Sequence, residues 1–143
     1  MRLEEKILQV MGGLHVAAVA TVDDGMPAVR FMSLEGYDDM RLVGATMKSS
    51  RKVGQILKNP NVALSIWSCG EYTDPYVVIR ATAAVQDDPA TKKKYWNPMK
   101  EAYFRTPDNP EYVVVTFTPK TIEYTDTNGM EVWERKPAIP VAR

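Results

Sequence analysis

A single cysteine and a single histidine among 143 residues exclude several kinds of chemistry. Cys69 has no partner for an internal disulfide and cannot build a thiolate metal cage, and His15 alone cannot supply a histidine-based metal cluster. Each is the sole representative of its type, so packing or surface roles outweigh catalysis for both. Such sparse thiol content fits a reducing cytoplasm. Long apolar runs are also missing, none approaching the roughly 20 residues that span a bilayer. Residues 1 to 11 interleave Arg2, Glu4, Glu5 and Lys6 with apolar positions and so lack a signal-peptide core. A soluble protein with no membrane partner is expected. Neither sign of charge dominates, with 18 Lys and Arg against 18 Asp and Glu. The global charge gives no reason to expect a nucleic-acid partner, and any anion site has to be local. No repeat or low-complexity segment occurs, and the length suits one domain over residues 1–143.

What is present reads as a succession of short elements. Leu3, Ile7, Val10 and Met11 form a helical stripe that Gly12 and Gly13 end. Val16 to Val22 and Met26 to Leu34 are β-rich and joined by Asp23-Asp24-Gly25, which tolerates left-handed geometry, so a hairpin is predicted. A third strand is expected over Arg41 to Ala45. Ser49 and Ser50 are candidate caps for a helix with Val53, Ile56 and Leu57 on one face, stopped by Asn59-Pro60. Val62 to Trp67 and Tyr76 to Val85 read as strands. Asp88-Pro89 opens a helix, Trp96, Met99 and Tyr103 suit a buried stripe on it, and Pro98 should bend or break it. Tyr112 to Thr118 and Thr121 to Thr125 are two β-rich runs flanking Pro119, and Thr127-Asn128-Gly129 is a turn before Val132-Trp133. Many consecutive strands with few short helices predict a mainly β (α+β) domain whose antiparallel sheet closes into a barrel.

One segment is chemically uneven. From Arg41 to Gly70 there are five basic residues, Arg41, Lys48, Arg51, Lys52 and Lys58, and no acidic one. Lys48 to Lys52 fall at a predicted helix start, where free N–H groups and the helix dipole favour an anion and hydroxyls and cations add charge-assisted bonds. A solvated, capped helix accounts for the segment equally well on its own. Gly44-Ala45-Thr46-Met47-Lys48-Ser49 is not a nucleotide P-loop, because the glycine required before the lysine is absent, and no G-x-G-x-x-G fingerprint exists. The paired carboxylates Asp23-Asp24 and Asp87-Asp88 sit at a turn and a helix cap, where they have structural work.

Thr46-Met47-Lys48-Ser49-Ser50-Arg51-Lys52, followed by a short helix ending in Asn59-Pro60-x-Val62, resembles the T-x-x-x-S-R-K…N-P-x-V pattern of the pyridoxamine 5′-phosphate oxidase-like family. Asp24-Gly25-x-Pro27-x-x-Arg30 is similar to the hairpin of that family. The Arg30-Phe31-Met32 version stands closer to its general-stress-protein branch than to its biosynthetic oxidases. The resemblance implies a Greek-key split β-barrel with short flanking helices that binds FMN at a homodimer interface and acts as an oxidoreductase or flavin reductase. It further implies that Arg30 and Lys52 pair with the FMN phosphate, helped by Ser50 and Arg51. The backbone of Phe31 and Met32 and the side chain of Thr46 would meet the ring system. Trp96 is a further candidate for stacking near the flavin, although aromatics at such spacings are more often packing residues.

Departures from the pattern bear on the reaction. Glu35 stands where the pyridoxamine-oxidising members carry a lysine, and the tail Trp133-Glu134-Arg135-Lys136-Pro137 has no counterpart of their substrate-binding arginine and histidine. Both argue against oxidation of pyridoxamine phosphate. A flavin enzyme drawing on NADH or NADPH is the leading expectation, with no protein acid or base singled out. The alternatives are a flavin-binding or redox-responsive protein without turnover, and a split barrel that uses F420 or haem. A nucleic-acid contact through the basic helix is a fourth, disfavoured by the balanced charge.

Overall fold

The structure, a computed structural model, describes residues 1–68 and 70–137, so Cys69 lies outside the described residues. Helix α1 spans Leu3–Met11 and precedes the hairpin β1 (Gly13–Asp23) and β2 (Met26–Gly36). Strand β3 (Leu42–Met47), helix α2 (Arg51–Lys58), strand β4 (Asn61–Trp67) and strand β5 (Tyr76–Gln86) follow. After α3 (Pro89–Lys94) and α4 (Glu101–Phe104) come β6 (Tyr112–Asp126) and β7 (Gly129–Glu134).

All ladders are antiparallel, in the order β3-β2-β1-β4-β5-β6-β7, and a further β3–β6 pairing closes six strands into a ring. A fourth strand lying beside the first of a three-strand meander is the Greek-key arrangement. The β1–β2 turn has Asp24 and Gly25 both at positive φ, +48° and +79°, as a two-residue hairpin loop with the twist of its strands requires.

Alternation then sorts the side chains. Ala17, Val19, Met32, Leu34, Leu64, Ile66, Val77, Ile79, Phe117 and Ile122 fill the interior. Ile7, Val10 and Met11 of α1, which packs against β2, β4, β5 and β7, join this core, as does Ile56 of α2. Gly44 of β3 permits close strand approach, since a Cβ there would stand 2.5 Å from Leu34 Cδ2. A second cluster, Val43, Phe104, Tyr112 and Val114 with Tyr37, Tyr95 and Trp96, lies where α3 and α4 cover the outer side of β3 and β6.

Several local expectations are corrected. Strand β3 runs on to Met47, and Arg41 is held in the preceding turn by Asp39. Ser50 is the N-cap of α2 but its side chain makes no capping bond, and Leu57 is exposed. Pro98 interrupts the helical stretch, so Met99 and Tyr103 face solvent while Phe104 is buried instead. The two runs around Pro119 are one strand. Pairing with β3 ends at Phe117 and pairing with β7 begins at Thr121, so the missing proline N–H falls between them, beside an irregularity in the β5 register.

Candidate functional site

The barrel is split on one side. Strand β2 meets β3 only at Glu35↔Val43 and Gly36↔Leu42, whereas β1 pairs with β2 along its whole length. From Met26 to Leu34, β2 therefore has no strand partner on its β3 side among the described residues. Thr46, Ser50 and Lys52 border this opening from the β3–α2 corner, and Arg30 borders it from β2.

Arg30 is half-buried because strand alternation turns it inward while its neighbour Phe31 points out, 77% exposed. Its Nη1 donates to Thr21 Oγ1 (2.6 Å), Ala28 O (3.2 Å) and Val19 O (3.3 Å), and its Nη2 donates to Gln55 Oε1 (2.9 Å). Lys52 donates from Nζ to Thr46 Oγ1 at 2.8 Å, and Thr46 and Ser50 hydroxyls stand 3.5 Å apart. Met32 is buried in the barrel, so only its backbone is available to the split. Arg51 lies along a groove between α2 and the β1–β2 turn, with Gln55 and Lys58.

The electrostatics of this corner are one-sided. Burial first, and then the neighbouring Arg51, lowers the pKa of Arg30; burial first, and then Arg30, lowers that of Lys52. Asp23 acts in the opposite direction on Arg30. Yet among the described residues no carboxylate comes within ion-pair distance of Arg30, Arg51 or Lys52. Arg30 and Lys52, partly desolvated and with the exposed Arg51 beside them, form a cluster of cations suited to a bound anion.

Other residues of the basic segment are already committed. Lys48 Nζ donates to Asp87 Oδ2 (2.8 Å), whose other oxygen is 3.5 Å from the buried Lys92. The backbone N–H and hydroxyl of Ser49 both donate to Glu111 Oε2, at 3.1 and 2.8 Å. Lys48 N donates to Glu111 O at 2.7 Å. These contacts stitch the β3–α2 corner to the start and end of the α3–α4 segment. Of the eight residues singled out from sequence, Arg30, Thr46, Ser50 and Lys52 meet at one corner, Arg51 flanks it, and Phe31 and Met32 contribute strand edge. Trp96 belongs to the outer cluster, edge-on to Tyr112 with ring centroids 5.3 Å apart. Thr21, Gln55 and Glu111 carry no sequence motif of their own, and Asp87, expected only to have structural work near a helix cap, is the partner of Lys48; Gln55, one helical turn beyond Arg51, has a positional signal.

The profile of the family described as pyridoxamine 5′-phosphate oxidase matches residues 3–126. The chain belongs to that family. General stress protein 26 of Bacillus subtilis is 29% identical over 121 residues, covering 84% of this chain and 86% of the relative. The crystal structure of General Stress Protein 26 from Bacillus anthracis superposes with a TM-score of 0.80 at 28% identity, over 94% of this chain and all of that one. Two more distant structures share the fold. One is a pyridoxamine 5′-phosphate oxidase-related, FMN binding protein from Nostoc punctiforme (TM-score 0.70, 15% identity, 85% and 81% covered). The other is a heme binding protein from Mycobacterium smegmatis (0.72, 13%, 92% and 56%). Membership in this family thus accompanies the Greek-key split barrel, while the cofactor varies among proteins that share the fold.

Proposed function

We propose that this member of the pyridoxamine 5′-phosphate oxidase family binds FMN at the interface of a homodimer and works as an oxidoreductase or flavin reductase, with NADH or NADPH as donor. The reading rests on the convergence of Arg30, Arg51 and Lys52, without a carboxylate partner among the described residues, at the open side of the barrel. A phosphate monoester dianion fits that corner in charge and in hydrogen-bond demand, because the corner offers N–H and O–H donors from three elements. Arg30 and Lys52 hold the phosphate, and Ser50 and Arg51 assist. The unpaired β2 edge at Phe31 and Met32, together with Thr46, faces the ring system. The flavin supplies acceptance and transfer of an electron pair; the protein supplies position, charge and exclusion of water.

The homodimer is supported by the outer face of the sheet. Val16, Val29 and Phe31 are 64%, 70% and 77% exposed, and Ala18 lies between Phe31 and Ser65 while Ala20 lies between Val29 and Ala63. Trp67 and Tyr76 extend this face on β4 and β5. A contiguous apolar surface of this kind is suited to burial against a second copy. Oxidation of pyridoxamine phosphate is not part of the proposal. Arg135, the arginine of the tail motif, donates to Pro119 O and Asp39 O, and the single histidine, His15, donates from Nε2 to Gly12 O.

The test is an absorption spectrum of the purified protein, then removal of any chromophore and titration with FMN, riboflavin and F420 by fluorescence. Tight FMN binding with weak riboflavin binding is expected. A haem spectrum, a preference for F420, or equal affinity for FMN and riboflavin would overturn the proposal. Rapid reduction of the bound flavin by NADH or NADPH is the outcome for an enzyme, and its failure would leave a flavin-binding protein without turnover.

A further inference from the structure

Gln55 lies on α2 between Val53 and Ile56, the residues that seat this helix, and is only half-buried itself. Its Oε1 accepts two hydrogen bonds, from the Thr21 hydroxyl at 2.6 Å and from Arg30 Nη2 at 2.9 Å. Thr21 Oγ1 in turn accepts from Arg30 Nη1 at 2.6 Å, which closes a ring of three side chains drawn from β1, β2 and α2. Arginine can only donate, so the amide oxygen rather than its nitrogen must face Arg30, and the Thr21 hydroxyl donates to the same oxygen. Thr21 is 1% exposed, and with its single proton committed to Gln55 its lone pairs are left for Arg30. The ring therefore fixes the plane of the guanidinium. It leaves Nε–H and the second N–H of Nη2 outside these bonds.

Among the described residues, Arg51 and Lys52 on α2 and Asp23 at the β1–β2 turn act on Arg30 or are acted on by it, Asp23 from beyond ion-pair distance, and Asp24 and Lys58 line the adjoining groove with Gln55. A glutamate at position 55 would have the same length and the same acceptor position, and would orient Arg30 as well. It would also neutralise that arginine and place a negative charge beside any anion. An amide orients without discharging.

We propose that Gln55 is a positioning and specificity-determining residue, whose neutral acceptor aims Arg30 and keeps its full charge for a phosphate group on the flavin. This rests on the reading of the corner as a flavin-phosphate site. The carboxylates at Asp87 and Glu111 take the complementary part, binding Lys48 and Ser49 outside the cluster.

The experiment compares wild type, Gln55→Glu and Gln55→Met for FMN and riboflavin affinity by fluorescence titration, and for melting temperature without flavin. Gln55→Glu is expected to weaken FMN about 30-fold, the scale of a charge-assisted bond lost from a partly buried site, and to change riboflavin by less than about 2-fold on the same reasoning. Its flavin-free melting temperature should not fall, since the new carboxylate pairs with Arg30. Gln55→Met, which retains bulk but not the acceptor, should weaken FMN by a smaller factor and selectively. An unchanged FMN-to-riboflavin ratio in both variants would overturn the proposal, as would equal loss of both flavins with a lowered melting temperature, the mark of a purely structural residue. If wild type binds the two flavins equally, the phosphate reading itself fails, and that result is visible before either variant is compared.

Discussion

Lys48 and Lys52 are four residues apart in one basic segment, yet the structure gives them different partners. Lys48 is neutralised by Asp87 at 2.8 Å, and its pKa is raised chiefly by that hydrogen bond. Among the described residues Lys52 has only the Thr46 hydroxyl, at 2.8 Å, and its pKa is lowered by burial and then by Arg30. One of its three ammonium N–H groups is used, leaving two for an anion. A charge-assisted hydrogen bond to phosphate contributes about 2 kcal/mol, which at about 1.4 kcal/mol per decade is roughly 30-fold in affinity. Lys52→Met, which keeps the apolar stem, should therefore weaken FMN roughly 30-fold and leave riboflavin nearly unchanged. Its flavin-free form should melt no lower than wild type, because a cation has left a cluster of like charges. Lys48→Met should alter FMN affinity by less than about 2-fold, since an exposed ion pair with Asp87 is all that is broken. Fluorescence titration of both variants with both flavins decides the matter. Equal FMN loss in the two variants would refute the separation of the segment into a neutralised and an anion-binding lysine.

Further outcomes follow from packing, titration and surface. Gly36→Ala should destabilise by about 3 kcal/mol, near 10 °C in melting temperature, because its Cβ would stand 2.0 Å from Met11 O and force α1 away from β2. Gly54→Ala, in a helix with nothing within 4 Å of the added carbon, should instead stabilise by about 0.5–1 kcal/mol; thermal melts showing the same sign for both would contradict this contrast. Burial, and then the Glu35 carboxylate that accepts its hydroxyl bond, pushes the Tyr37 pKa up to about 12. A pKa raised in the fold contributes stability that is complete below the ordinary tyrosine value, near 10, and is lost as pH rises toward 12. Urea melts in that window should show a shallower decline for Tyr37→Phe than for wild type. Phe31→Arg, at the centre of the apolar outer face, should shift gel filtration toward monomer, and an unchanged elution volume would remove Phe31 from any contact between copies.

The sequence by itself determined the elements whose signals are local. Helix α1 ends at its glycines, the β1–β2 turn forms at Asp24-Gly25, α2 stops before Asn59-Pro60, and the antiparallel character follows from strands too closely spaced for helical crossovers. The corner containing Arg30, Thr46, Ser50 and Lys52 was also legible, through spacing that resembles a known family. Only the tertiary structure decided what depends on partners distant along the chain. Pro119 can sit inside one continuous β6 because β3 and β7 share that strand's other edge on either side of it. Lys48 and Lys52 look alike in the sequence, and Asp87, 39 residues further on, separates them. Gln55 meets Thr21 and Arg30 across 34 and 25 residues. Periodicity and turn chemistry act over a few neighbouring residues, whereas the charge and orientation of a side chain in a site are set by whichever groups the closed barrel brings against it.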